Sequence, residues 1–189
     1  MGRESEIEIL DVRRDEVVRR LRELRAKHEG VHKFRRMEFL IEGDSHGRHS
    51  WVRVRTDGKE TTITLKETRG RSGFSSMKEY EVEVSDFEEA LRIMGRLSGT
   101  KPLYFENERD AYRLGDAQVT IDKWPGIPEF VEIEAPTMGR VREVYKKLGI
   151  GGTLIGNEPI HKTYERYGLE FRATMSKNEP KLRRILKKA

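Results

Sequence analysis

Alternation of apolar and polar residues dominates the chain. In Glu4-Ser5-Glu6-Ile7-Glu8-Ile9-Leu10 it puts Glu4, Glu6 and Glu8 on one face of a strand and Ile7 and Ile9 on the other. Trp51 to Arg55 alternates likewise, and Asp57-Gly58 supplies a hairpin turn. Its partner is Thr61 to Glu67, with Ile63 and Leu65 opposite Thr62, Thr64 and Lys66. Lys78 to Val84 sets Tyr80, Val82 and Val84 against Glu79, Glu81 and Glu83. Leu103 to Leu114, Gln118 to Lys123 and Glu129 to Glu134 read as three further strands, the first two joined at Gly115-Asp116. Phe34 to Glu42 reads as another strand, flanked by a loop through Ser50 that carries His46 and His49.

Helical spacing appears between these strands. Val17, Val18, Leu21, Leu24 and His28 predict a helix over Asp15 to His28, stopped by Gly30. Ser85-Asp86-Phe87-Glu88 opens a helix through Leu97 that buries Ala90, Leu91, Met94 and Leu97. Met138 to Leu148 turns Val141, Val144, Tyr145 and Leu148 inward. A short helix lies between Pro159 and Gly168, and a tail helix near Glu179 to Lys188 has Leu182, Ile185 and Leu186 to bury.

The polar faces are sorted by sign. Glu4/Glu6/Glu8, Glu79/Glu81/Glu83 and Glu132/Glu134 are acidic; Arg53/Arg55, Lys66 and Arg109/Arg113 are basic. Gln118, Thr120 and Asp122 form a mixed face. On any one strand a solvated face is the plain reading. Repeated along the chain, same-sign charges two residues apart work against stability if only water faces them. A closed antiparallel barrel of about eight strands meets the pattern better, as an α+β fold whose helices cover the apolar outside while charges line the bore. Cations and carboxylates sharing a bore suit a polyanion carried with a divalent metal. Arg and Lys grip phosphate oxygens, and oxygen ligands suit Mg2+ or Mn2+.

Composition narrows the setting. A chain of 189 residues suits one compact domain, here residues 1–170 followed by a tail at 171–189. It has no cysteine, which excludes disulfides and thiolate metal sites. Neither a signal segment nor a run of membrane-spanning length is apparent, so the cytoplasm is the expected location and no membrane partner is expected. The net charge is +5, and residues 177–189 carry six basic side chains against Glu179. The body therefore sums to zero, and nucleic acid is a possible partner through the basic tail alone.

These pieces together resemble the CYTH or triphosphate tunnel metalloenzyme family, which includes class IV adenylyl cyclases and thiamine- and inorganic triphosphatases. The resemblance covers roughly residues 4–170. It rests on the opening Glu-x-Glu strand, Val52-Arg53-Val54-Arg55, Thr64-Leu65-Lys66, Tyr80-Glu81-Val82-Glu83-Val84, Arg109-x-x-Tyr112, and Ile121-Asp122 through Phe130-Val131-Glu132-Ile133-Glu134. The linker Trp124-Pro125-Gly126-Ile127-Pro128 is similar to that of small bacterial class IV cyclases. The resemblance implies metal binding by Glu4, Glu6, Glu132 and Glu134, and a triphosphate clamp of Arg53, Arg55, Lys66 and Arg109, with Arg113 beside them. It implies that Glu81 and Glu83 face a second metal or balance the clamp, and that Asp122 is a structural or metal-linked acid.

Two positions depart from the family pattern. The lysine of its Glu-x-Glu-x-Lys strand is replaced by Glu8 or Leu10, according to register, and Asn107-Glu108 stands where basic residues are expected. The expected function is metal-dependent hydrolysis of a triphosphate, which needs no base pocket. The alternatives are cyclisation of ATP to cyclic AMP with release of pyrophosphate, a non-catalytic binder of triphosphate, polyphosphate or an RNA 5′ end, and a protein-interaction domain. The resemblance also allows a homodimer.

Overall fold

The computed structural model describes residues 5–41, 49–68, 78–99, 101–156, 158–178, 180–181 and 183–184. Glu4, the loop histidine His46, most of the loop expected at 68–76 and most of the expected tail helix lie outside them. The described chain divides into two compact units, one of Met1–His32 with Glu108–Glu158 and one of Lys33–Asn107 with Pro159–Ala189. Among the described residues nine strands occur where about eight were expected, with five helices, and β1 with β8, β2 with β3 and β6 with β7 pair antiparallel.

In the first unit, β1 (Ser5–Leu10) is followed by α1 (Arg14–Glu23), the start of β2 (Lys27–Ile41), the end of β6 (Leu103–Leu114), β7 (Ala117–Lys123), β8 (Phe130–Ala135), α3 (Met138–Leu148) and β9 (Thr153–Ile155). Its strands are ordered β6-β7-β8-β1-β9. Ile7, Ile9, Val119, Ile121, Val131 and Ile133 form the apolar face, and Val17, Leu21, Val141, Val144 and Leu148 cover it from α1 and α3. The expected helix over Asp15 to His28 is shorter. Arg25 takes a left-handed φ of 56°, the Ala26 N–H donates to the Leu21 carbonyl, and the chain enters β2 at Lys27. A non-glycine residue holds this helix-ending position, so the usual glycine signal is missing, and Gly30 instead lies within β2. Arg20 then caps the far end of α3, donating to the carbonyls of Leu148 (2.6 Å) and Lys147 (3.0 Å). β9 is too short to leave a periodic signal. It reaches β1 because Gly152 has no side chain: a Cβ there would lie 2.5 Å from the Leu10 carbonyl oxygen.

The second unit contains the rest of β2, then β3 (His49–Thr56), β4 (Thr61–Thr68), β5 (Lys78–Glu83) and α2 (Phe87–Leu97), with α4 (Ile160–Arg166) and α5 (Phe171–Ser176). The strand order is β5-β4-β3-β2. Met37, Phe39, Val52 and Val54 pack under Phe87, Ala90 and Leu91 of α2, which starts at Asp86 with its carboxylate accepting from the Glu89 N–H. Two expectations fail here. Tyr80 and Val82 were to share a buried face with Val84, yet they are 54% and 58% exposed; among the described residues β5 ends the strand order and pairs with β4 alone. Leu97, expected on the core stripe, is 73% exposed at the last turn of α2. α5, not expected as a separate helix, docks through Phe171, whose ring meets Phe105 and Tyr164 edge-on.

Candidate functional site

Register determines which charges become neighbours. In the first unit, Glu6 lies opposite Glu134 and Glu8 opposite Glu132. The same rows continue through Gln118 to Arg113 and through Thr120 to Ala111. Like charges directly across a ladder are destabilising, so two such pairs side by side call for a cation. Glu6, Glu132 and Glu134 bring one ligand oxygen each to within 4.8 Å of one another. An all-carboxylate oxygen set of this kind fits a hard divalent ion such as Mg2+ or Mn2+. Glu8, which stands in place of the family lysine in one of the two registers (Leu10 in the other), is buried at 6% exposure beside this group.

A protein cation answers part of that charge. Arg109 donates to both oxygens of Asp122 at 2.9 Å each and to Glu132 at 3.1 Å. Asp122 is wholly buried and also accepts the Thr120 hydroxyl at 2.9 Å. Its oxygens are thus taken up by Arg109 and Thr120, which makes it the acid that orients Arg109. Burial works against the Arg109 charge, but Glu132, Asp122 and Glu134 more than offset it and the guanidinium stays protonated. Arg113, at the end of the row, is held by Glu29 at 3.4 Å. A cavity of about 170 Å3 lies beside it, lined by Arg113, Asp116, Gln118 and Glu134.

In the second unit the polar face of four strands forms two rows of charge. Arg36, Arg55, Thr62 and Glu83 make one; Glu38, Arg53, Thr64 and Glu81 make the other. Arg36 and Arg55 are like charges directly opposite, and both stack on the Phe34 ring, each 5.0 Å from its centre, which offsets their repulsion. Thr64 donates its hydroxyl to Glu81 at 2.6 Å and accepts from Arg53 at 3.4 Å. Lys66 donates to Glu79 at 2.7 Å. Burial, and then the neighbouring Arg53, pull the Lys66 ammonium below its ordinary range. The Arg53 Nε, the Thr62 hydroxyl and the Asn107 amide are buried without a hydrogen-bond partner among the described residues. Buried donors left over in a basic setting are suited to an incoming oxyanion.

Within the second unit the structure therefore gathers Arg53, Arg55, Lys66, Glu81 and Glu83 on one strand-face, and within the first unit it gathers Glu6, Arg109, Arg113, Asp122, Glu132 and Glu134. Sequence reasoning missed Arg36 and Glu38 as members of the basic face. The doublet Arg35-Arg36 obscures the strand, but Met37, Phe39 and Ile41 at alternate positions carry the signal that would have found it. It also missed Arg172 of α5, whose charge bears on Glu38. No sequence pattern marks that approach, because α5 is brought there by Phe171.

No helix among the described residues is long and apolar enough to cross a membrane. A comparison with curated proteins finds no match. Among solved structures, the PH1012 protein of Pyrococcus horikoshii OT3 is 23% identical, with a TM-score of 0.61 over 79% of this chain and 92% of its own. An adenylate cyclase candidate from Vibrio parahaemolyticus is 11% identical, with a TM-score of 0.61 over 80% and 91%. HpAC1 of Hippeastrum, a proposed adenylyl cyclase with a dominant triphosphatase activity, is 16% identical, with a TM-score of 0.55 over 89% and 97%. At these identities the likeness is one of fold, that of an α+β protein built on an antiparallel sheet. The model of the CYTH domain matches residues 3–147, most of the chain, and with the charged strand faces in the order described the chain belongs to the CYTH-domain family.

Proposed function

We propose that this protein hydrolyses a triphosphate (inorganic, nucleoside or thiamine triphosphate) with the help of Mg2+ or Mn2+. The observation that carries the reading is the pair of opposed carboxylate couples, Glu6 with Glu134 and Glu8 with Glu132, in a chain that also sets Arg53, Arg55 and Lys66 on one face of the paired strands β3 and β4. Such a chain is equipped for a divalent cation and for phosphate oxygens.

Glu6, Glu132 and Glu134 would hold the metal, with Glu4, two residues before Glu6 in the sequence, as a further ligand by the family resemblance. A divalent ion held there would supply Lewis-acid chemistry, for polarising a phosphoryl oxygen or activating a water. Arg53, Arg55 and Lys66 bind the equatorial oxygens and offset the charge that grows on the leaving phosphate. Arg109, fixed by Asp122, presents a preoriented cation, and fixed cations cost no reorganisation when charge shifts. Arg113 binds the substrate at the end of its row. Glu81 and Glu83 balance the basic face, and Glu81 keeps Thr64 and Arg53 in place.

Incubation with tripolyphosphate, ATP and thiamine triphosphate, each with Mg2+ or Mn2+, tests the reading. Metal-dependent release of free phosphate is the expected result. Cyclic AMP with pyrophosphate makes the protein a cyclase instead, and thermal stabilisation by the ligands without product makes it a binder.

A further inference from the structure

We propose that Glu38 is a positioning residue for the phosphate-binding cations: its carboxylate gathers them before substrate arrives, yields them to the entering phosphate oxygens, and takes up a proton from solvent as it does so. The proposal rests on the triphosphate reading and adds to it an acid that the family resemblance did not point to.

Glu38 sits in the basic part of the second unit. Arg53 is its direct cross-strand partner and Arg36 precedes it by two residues on the same face of β2. Lys66 on β4 and Arg172 on α5 also act on it. The acids facing the same cations are on β5: Glu79 bonds Lys66 and Glu81 lies 3.9 Å from Arg53. Three cations on adjacent strands, with a fourth from α5, repel one another unless an anion lies among them. Glu79 and Glu81 meet them from the β5 side, whereas Glu38 meets them from the opposite end of the row.

The same placement makes the carboxylate a competitor of phosphate. Phosphate oxygens that satisfy Arg53 and Lys66 remove the attraction that keeps Glu38 ionised and add repulsion of their own. Burial already pushes the Glu38 carboxyl up, against the pull of Arg53, Arg36, Lys66 and Arg172. With that pull diverted to the substrate, a proton from solvent settles on a Glu38 oxygen. No other bond is made or broken.

Two measurements test this, each on the full chain. The first follows the Lys66 side chain by NMR in protein carrying 13C-labelled lysine, with Lys66→Arg to assign the signal. Glu38→Gln is expected to titrate Lys66 at lower pH than the wild type, and an unchanged or higher midpoint overturns the proposal. The second is calorimetric titration with tripolyphosphate, metal chelated, in buffers of different ionisation enthalpy. The wild type is expected to take up more protons per tripolyphosphate than Glu38→Gln, which should bind about tenfold tighter because one competing charge is gone. Equal proton counts, or weaker binding by the variant, overturn the proposal while leaving the triphosphate reading intact. A wild type that binds no tripolyphosphate either metal-free or with Mg2+ or Mn2+ restored overturns that reading, and this one with it; binding that needs the metal overturns this proposal alone. Should Glu38→Gln fail to fold, Glu38→Asp draws the charge back by one methylene and lowers the Lys66 midpoint by a smaller amount; no lowering again overturns the proposal.

Discussion

Replacing Asp122 with alanine isolates the contribution of one buried acid. The substitution deletes two Arg109 bonds of 2.9 Å and the acceptor of the Thr120 hydroxyl, and leaves Arg109 with Glu132 at 3.1 Å. Breaking a buried ion pair from one side costs about 3–5 kcal/mol, because the surviving charge stays desolvated. Glu132 keeps part of the compensation, which places the loss near the lower end, at about 3 kcal/mol. For a chain of this length each kcal/mol lowers the melting temperature by roughly 2–4 °C, so a fall of roughly 6–12 °C is expected. Urea unfolding followed by circular dichroism reads it as a drop in midpoint at constant slope. The companion is Arg109→Met with Asp122→Leu, which removes both charges and should recover most of the loss. A single variant that loses less than about 1 kcal/mol, or a double variant worse than the single, refutes the buried-pair argument.

Three further outcomes are expected. Glu134→Gln should weaken Mn2+ binding by at least about tenfold, read as lost thermal stabilisation across a metal titration, while the metal-free melting temperature rises slightly as one like charge is removed. Lys147, and then Arg140, hold the exposed Glu143 carboxyl down at about 2, below its ordinary value of 4.5. Its contribution to stability is therefore complete above the ordinary value and lost as pH falls from there toward 2, so the urea midpoints of wild type and Glu143→Gln should converge over that window. Phe171→Ala removes the ring between Phe105 and Tyr164 and should cost about 3 kcal/mol, with α5 becoming the first segment cut by protease.

The strands β6, β7 and β8 and the helix α3 were legible almost to the residue, because the Gly115-Asp116 turn, the alternation of β7 and β8 and the helical spacing of Val141, Val144 and Leu148 leave little room for another reading. The sorting of Glu6, Glu132, Arg53 and Lys66 onto polar faces followed from the same arithmetic. What could not be read was which charges become neighbours. That Glu8 stands opposite Glu132, or Arg36 opposite Arg55, depends on pairing between distant stretches, and parity alone leaves it open. The exposure of Tyr80 and Val82 escaped for a similar reason: a strand at the end of the order carries the same pattern as an inner one, and that β5 pairs with β4 alone among the described residues is a fact of topology.

The pairing of β1 with β8 has a bearing on how the chain assembles. β3, β4 and β5 follow one another and can zip together as soon as they leave the ribosome, whereas β1 must wait, acids exposed, until β8 has been synthesised. The late loop closure makes the meeting of the first strand with the eighth the expected slow phase of refolding. A divalent ion that draws Glu6 and Glu134 together would then hasten the search as well as hold its result.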